Sequence, residues 1–137
     1  MNYLSGKEIS QALQKAYRVY LCGDLSNPQE ELSWIYDNQL EIGISYYKGF
    51  TADKPHFHEI ATEYNYILKG SSKFYVVNEE KEYVFQHGSL FVVPPNTMYA
   101  SKHLADTQVL FVKSPGGNDK RLIDIHPELK IWLHSWE

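Results

Sequence analysis

The sequence predicts a single all-β domain, a sandwich or barrel, with one helix at each end. Short segments rich in β-branched and aromatic residues follow one another at close, even intervals, and turn-prone groups separate them. Aromatic residues make up 15% of the 137 residues and include 11 tyrosines, which favours half-buried pleated surfaces over long helices. A chain of this length has one core, so we expect one domain over residues 1–137.

The N-terminal segment predicts an amphipathic helix over about residues 6–21. Ser5 and Glu8 have the spacing of a capping box, and apolar residues then recur on one helical face at positions 9, 13, 16, 17 and 20. Gly23 and the polar stretch "DLSNPQEE" end the predicted helix.

The barrel core is predicted over about residues 32–113. The segments "LSWIYD" and "LEIGISYYKG" alternate apolar with polar residues, as half-buried strands do. Further strand-like segments follow, separated by turn-prone groups: "YNYILKG", "KFYVV", "EYVF", "SLFVVPP" and "TQVLFVK".

The C-terminal segment predicts a loop, "SPGGNDK", and then a helix over about residues 127–136. Pro127 suits a first helical turn, and Leu129, Trp132, Leu133 and Trp136 form one apolar stripe. We expect both end helices to close open faces of the barrel, with a lid over its mouth or a dimer contact as alternatives.

Composition excludes several classes of partner. The formal net charge is −4 and no stretch gathers lysine and arginine, so nucleic acid is not expected. Cys22 is the only cysteine, which excludes an internal disulfide and a thiolate zinc cluster and agrees with a reducing compartment. No signal peptide or membrane span is recognisable, so we expect a cytoplasmic protein whose partner is a small molecule.

The stretch "PHFHEIATE", residues 55–63, contains the candidate site. On a strand His56 and His58 point to the same face, which makes them a chelating pair. Glu63 is an odd number of residues from both, so a turn within "EIAT" is needed to bring it back to them. Glu59 would point away, as a solvated carboxylate or a hydrogen-bond partner of a ligand.

Imidazole and carboxylate together suit one divalent transition metal: iron, manganese, nickel or zinc. Taken alone, the same residues also fit a polar strand end with two ordinary exposed imidazoles.

The order of residues resembles the two signatures of the cupin family of small β-barrels. The first signature is matched by Gly49, His56, His58, Glu63 and Gly70, and the second by Gly88, Pro94, Asn96, Tyr99 and His103. The resemblance implies an antiparallel double-stranded β-helix, the jelly-roll barrel of cupins, with a metal held by His56, His58 and Glu63.

This sequence departs from the family pattern at three positions of the second signature. Asn96 replaces the turn glycine, which an asparagine tolerates because it adopts positive φ more readily than most residues. Tyr99 stands at the position of the third histidine ligand, and His103 at the usual asparagine. His103 lies about 13 Å along a strand from Tyr99, so only a bulge or turn would make it a ligand.

Tyr99 has three possible roles. Its phenolate would ligate the metal, or its phenol would act beside the metal as a general acid, base or hydrogen-bond donor, or its ring would only pack at the barrel mouth. We predict the second role, because a neutral phenol costs least to keep beside a metal.

Three functions follow from this site. The first is a metal-dependent isomerase, epimerase or lyase acting on a small, polar, carbohydrate-like metabolite, in which Tyr99 shuttles a proton. The second is an iron(II) dioxygenase, and the third is a non-catalytic binding or sensor protein. Strand edges invite pairing, so we also expect a homodimer.

Overall fold

The computed structural model describes all 137 residues as two β-sheets with a helix at each end. The strands are β1 (Arg18–Gly23), β2 (Ile35–Tyr36), β3 (Glu41–Tyr47), β4 (Thr51–His58), β5 (Thr62–Lys69), β6 (Ser71–Val76), β7 (Lys81–Gln86), β8 (Leu90–Val93), β9 (Tyr99–His103), β10 (Thr107–Ser114) and β11 (Lys120–Leu122). The helices are α1 (Gly6–Lys15) and α2 (Pro127–His134), and a 3₁₀ turn spans Val77–Glu79. The predicted all-β class with a helix at each end is confirmed.

Each sheet draws its strands from distant parts of the sequence. The six-stranded sheet has the order β2-β1-β3-β10-β5-β8, and the five-stranded sheet has the order β11-β4-β9-β6-β7. Every pairing is antiparallel except that of β1 with β2. Neither helix is long and apolar enough to cross a membrane.

The predicted helix over residues 6–21 is wrong in its second half. The capping box forms, since Ser5 and Glu8 bond each other's backbone N–H groups, but the helix ends at Lys15. Residues 18–23 form β1, which pairs with β3 at four positions. The aromatic and β-branched residues of this segment favour a strand. Pairing with β3 provides the backbone hydrogen bonds that a helix would otherwise provide.

The barrel core therefore extends beyond the predicted range of about 32–113 in both directions. It begins with β1, and β11 adds a short strand to the edge of the five-stranded sheet after the predicted loop. The helix α2 ends at His134, two residues before the predicted end, which is within the usual fraying of a helix terminus.

Both helices lie against outer faces of the sheets rather than across an open end of the barrel. Five buried apolar residues, contributed by α1, β1, β3 and the segment before β2, pack together on the outside: Ala12, Leu13, Val19, Leu32 and Ile44. At the other end of the chain, the fully buried Lys102 of β9 donates from Nζ to the carbonyl oxygens of Trp132 and Ser135, at 2.6 and 2.7 Å. The amine thereby holds the last turn of α2 on the five-stranded sheet.

A buried polar network joins β3, β4, β6 and β9 inside the barrel. Asp53 Oδ2 accepts from the hydroxyls of Tyr47 and Ser101, both at 3.2 Å, and lies 3.1 Å from His103 Nε2. His103 Nδ1 is 2.7 Å from the hydroxyl of Ser72, and its ring stacks on Tyr47 with centroids 3.8 Å apart. Both ring nitrogens of His103 therefore face partners within this network.

The network sets the charge of Asp53. Burial alone raises the pKa of this carboxyl, but the hydrogen bond and charge of His103 and the charge of Arg18 outweigh burial and lower the pKa from 3.8 to about 2. A carboxyl whose pKa is lower in the folded state stabilises the fold above its unfolded pKa, and this contribution is lost as the pH falls through the folded pKa.

We predict that Asp53→Asn lowers the free energy of unfolding by about 2 kcal/mol at neutral pH, the value of a pKa shift of nearly two units. The loss should shrink as the pH falls from about 4 to about 2, where Asp53 takes up its proton. Urea unfolding at a series of pH values measures it, with Asp124→Asn at the exposed surface as the control. Equal pH dependence in both variants would contradict the assignment.

Candidate active site

The four predicted site residues meet inside the barrel. His56 and His58 end β4, Glu63 lies at the start of β5, and Tyr99 opens β9 in register with His56. The predicted turn is present, since residues 59–61 separate β4 from β5 and return Glu63 to the histidines. Glu59 points to the surface, where it pairs with Arg121.

Glu63 is the centre of the group. Its Oε1 lies 3.3 Å from His58 Nε2, and its Oε2 accepts a 3.0 Å hydrogen bond from the Tyr99 hydroxyl. The ring of His56 lies beside those of Tyr99 and His58, with centroids 4.6 and 5.2 Å apart. One carboxylate thus binds a histidine on one side and a phenol on the other.

Hydrogen bonds behind the two histidines fix their orientation. His56 Nδ1 is 2.7 Å from the carbonyl oxygen of Lys54, and His58 Nδ1 is 2.8 Å from Asp119 Oδ1. With both Nδ1 atoms facing these acceptors, Nε2 is the ring nitrogen that each histidine has left for a further contact, and in His58 this Nε2 faces Glu63. This is the arrangement that metal-binding histidines adopt.

Asp119 belongs to the site although sequence reasoning missed it. Its Oδ2 accepts from the backbone N–H groups of Ile60 and Ala61, at 2.9 and 2.8 Å, and its Oδ1 contacts Lys113 Nζ at 3.1 Å. Burial raises the pKa of this carboxyl, but these two amides, His58 and Lys113 lower it far more. Asp119 therefore fixes both the turn before Glu63 and the ring of His58.

The charges of the group follow from its contacts. Burial lowers the pKa of His56, whereas in His58 the contact with Glu63 outweighs burial and raises the pKa. Burial raises the pKa of Glu63, but His58 and Tyr99 reverse the sign and keep the carboxyl ionised. Burial first, and the charge of Glu63 second, raise the pKa of Tyr99 well above 10, so its phenol is neutral.

The donor set fits a divalent transition metal only in part. Two ligand atoms bonded to one ion at about 2.1 Å lie about 3.0–3.4 Å apart at octahedral or tetrahedral angles, and His58 Nε2 and Glu63 Oε1 have that separation. No three His, Cys, Asp or Glu side chains converge closely enough to hold an ion. His56, His58 and Glu63 would therefore need a small adjustment to complete a three-ligand site.

The group faces a mostly polar cavity of about 580 Å³ enclosed by both sheets. The six-stranded sheet, which carries Glu63, also lines the cavity with residues that sequence reasoning missed, Arg18 and Asn65 among them. The sequence did not point to Arg18, because the predicted helix over residues 6–21 included it. Asn65 could have been identified, because a residue two positions from Glu63 on a strand shares its face.

The interior is divided by an aromatic cluster. Phe74 contacts Tyr99 and His103, with ring centroids 5.1 and 6.1 Å apart, and meets Phe91 edge to face; Phe91 stacks on Phe85 with centroids 3.8 Å apart. These rings fill one end of the barrel and leave the polar cavity at the other. The remaining histidines at positions 87, 126 and 134 are exposed.

Three solved structures share this fold. KdgF from Halomonas sp. is 24% identical, with a TM-score of 0.54 over 61% of this chain and 74% of that one. Streptomyces PAC13 with uridine is 18% identical, with a TM-score of 0.57 over 69% and 75%, and another structure of it describes a nucleoside dehydratase. The polyketide cyclase RemF from Streptomyces resistomycificus is 15% identical, with a TM-score of 0.55 over 66% and 65%. No curated protein sequence matches the chain.

The sequence profile of the cupin family matches residues 44–130, which is more than half of the chain and includes the motif residues from His56 to His103. The two mostly antiparallel sheets agree with the jelly-roll barrel that the resemblance implied. This chain belongs to the cupin family.

Proposed function

We propose that this cupin is a metal-dependent enzyme that isomerises, epimerises or cleaves a small, polar, carbohydrate-like metabolite, with Tyr99 as its proton shuttle. The observation that carries the proposal is the sharing of one buried carboxylate: Glu63 Oε1 faces His58 and Glu63 Oε2 accepts from the Tyr99 hydroxyl. His58, a proposed metal ligand, and Tyr99, the proposed proton donor, therefore contact different oxygens of the Glu63 carboxylate.

His56, His58 and Glu63 would hold one divalent ion, either iron, manganese, nickel or zinc. Such an ion would polarise a carbonyl or hydroxyl oxygen of the substrate. Because Glu63 Oε1 lies on the side of His58, its Oε2 stays free to orient Tyr99. The assignment of these three residues as ligands rests on their orientation and chemistry.

Tyr99 holds its proton on the phenol oxygen, because burial and the neighbouring carboxylate keep the pKa high. Glu63 fixes the direction of the hydroxyl at 3.0 Å, and the rings of His56 and Phe74 hold the phenyl group. A substrate oxygen that gains negative charge near Tyr99 would take this proton. Protonation of that kind assists the departure of a hydroxyl and the formation of an enol, which are steps of lyases and isomerases.

The cavity supports a catalytic function. Its volume of about 580 Å³ lies in the range of sites that enclose small molecules, and most of its lining residues are polar. Of the aromatic cluster around Phe74, only Phe74 and Tyr99 line this cavity, so the aromatic crowding that would favour a non-catalytic sensor is limited. The structural similarity to a nucleoside dehydratase and to PAC13 with uridine supports a substrate of this size that contains a sugar.

A homodimer is the assembly that we propose. The strand β8 is an edge of the six-stranded sheet, and four apolar side chains of β8 and its neighbour β5 lie side by side on the outer face and are exposed: Tyr64, Tyr66, Leu90 and Val92. Such a patch favours association.

We expect sedimentation to show that the parent protein is a dimer and that Leu90→Lys is a monomer with an unchanged circular dichroism spectrum. A monomeric parent would refute the proposal.

Metal content tests the ligand assignment. We expect the protein purified without added metal to contain about one ion per chain, and His58→Ala to contain almost none, because a two-residue site binds weakly. The control is His87→Ala, which removes an exposed histidine in a turn. Full metal content in His58→Ala, or none in the parent, would show that the assignment is wrong.

Tyr99→Phe tests the proton transfer. Turnover of a substrate found by screening aldoses, ketoses and sugar acids should fall by about a hundredfold or more, with metal content unchanged. Tyr83→Phe is the matched control, since that hydroxyl bonds Glu79 at the surface. Metal loss in Tyr99→Phe would make the phenol a ligand, and oxygen uptake by the iron-loaded parent would favour a dioxygenase instead.

A further inference from the structure

Arg18 is held in place in the cavity wall opposite Tyr99 without an ion-pair partner. Its Nε donates to the hydroxyl of Ser45 at 3.0 Å, and its guanidinium carbon lies 5.3 Å from the centre of the Phe111 ring. A β-carbon at Gly43 would lie 2.3 Å from that ring, so glycine is what lets the ring lie against the sheet. The result is an aromatic platform that positions the guanidinium of an exposed residue in the wall of the cavity.

No neighbouring carboxylate neutralises the positive charge of Arg18 in an ion pair. Arg18 takes part in none of the ion pairs of the chain. Asp53 is near enough to interact with it electrostatically, but Asp53 Oδ2 is already bonded to Tyr47, Ser101 and His103. A guanidinium has five N–H donors; Ser45 accepts from Nε, and the Tyr47 hydroxyl is close enough to interact with another. The terminal nitrogens therefore remain suited to an anion that enters the cavity.

Asn65 is a second and independent indication of a ligand. Its side chain is 6% exposed and lines the same cavity, and its Nδ2 is the one buried side-chain nitrogen or oxygen in the chain without a hydrogen-bond partner. An unsatisfied buried amide costs free energy, and native proteins seldom keep one without a reason. A ligand oxygen in the cavity would supply the missing acceptor.

The positions of the two groups favour one ligand. Asn65 pairs in register with Phe111, the residue whose ring lies under Arg18, and it is two residues from Glu63 on the same face of β5. Asn65 therefore lies between the platform of Arg18 and the group around Tyr99. A small molecule held by Arg18 and Asn65 would extend toward Glu63.

We propose that Arg18 and Asn65 bind a carboxylate of the substrate, so that the substrate is a hydroxy acid or sugar acid rather than a neutral sugar. The planar fork of a guanidinium matches the two oxygens of a carboxylate, and the amide N–H of Asn65 adds a neutral donor. This inference rests on the proposed function, since it places the substrate in the same cavity.

The test is a titration of the full chain followed by ¹⁵N NMR. The probes are D-gluconate and sorbitol, which differ only in a carboxylate against a CH₂OH group, and sorbitol 6-phosphate as the alternative anion. We expect gluconate to shift the Arg18 Nε–H and Asn65 Nδ2 signals saturably and to bind at least about tenfold more tightly than sorbitol. Equal binding of the two, no shift at Arg18, or tighter binding of the phosphate would overturn the proposal.

Variants distinguish specific recognition of the carboxylate by Arg18 from a general effect of positive charge on the protein. Arg18→Gln should remove the preference for gluconate, while Arg121→Gln, which removes an exposed arginine paired with Glu59, should keep it. Asn65→Leu should remain folded and bind gluconate several-fold more weakly; unchanged affinity would show that Asn65 is not a contact. The same titration in Tyr99→Phe should give unchanged shifts at Arg18, so that a failure of carboxylate binding and a failure of the proposed chemistry are distinguishable.

Discussion

The largely buried carboxylate of Glu63, whose side chain is 17% exposed, is the group around which the interior of this protein is arranged. Taking a carboxylate out of water costs several kcal/mol unless donors replace the lost solvent. His58 and Tyr99 provide that replacement from β4 and β9, the two strands that face β5 across the barrel. The contact of Asp119 with His58 and with the turn before Glu63 fixes the same arrangement from behind. Removal of His58 would take a partner from the carboxylates of both Glu63 and Asp119.

Because much of the barrel interior is polar, apolar side chains must be buried in other parts of the protein. The alternation along β1 and β3 shows how this is done: Val19 and Ile44 point outward and pack under α1, while Arg18 and Ser45 point into the cavity. The aromatic cluster around Phe74 occupies one end of the barrel. Apolar packing is thus concentrated outside the sheet and at one end, which leaves the other end free for charged and hydrogen-bonding groups.

Sequence reasoning predicted the parts of the site that depend on local periodicity. Period-two alternation placed His56 and His58 on one face, and the odd spacing of Glu63 required the turn that the structure contains. Sequence reasoning failed where contacts between distant residues determine the structure. Tyr20 fits the predicted helical stripe as well as a strand, and only pairing with β3 selects the strand. Asp119 is 61 positions from His58 in a loop, so no pattern in the sequence connects them.

The replacement of a third histidine by Tyr99 limits the chemistry of the site. A histidine there would offer a lone pair, whereas the Tyr99 phenol offers a proton to Glu63 and keeps it, because burial and the adjacent carboxylate both raise the pKa. In the proposed reaction Tyr99 must therefore give its proton first and recover it later. The group that removes a proton from the substrate must then be another one. Glu63 is an ionised carboxylate at the same cavity, and it lies within hydrogen-bond distance of Tyr99, to which it would return a proton.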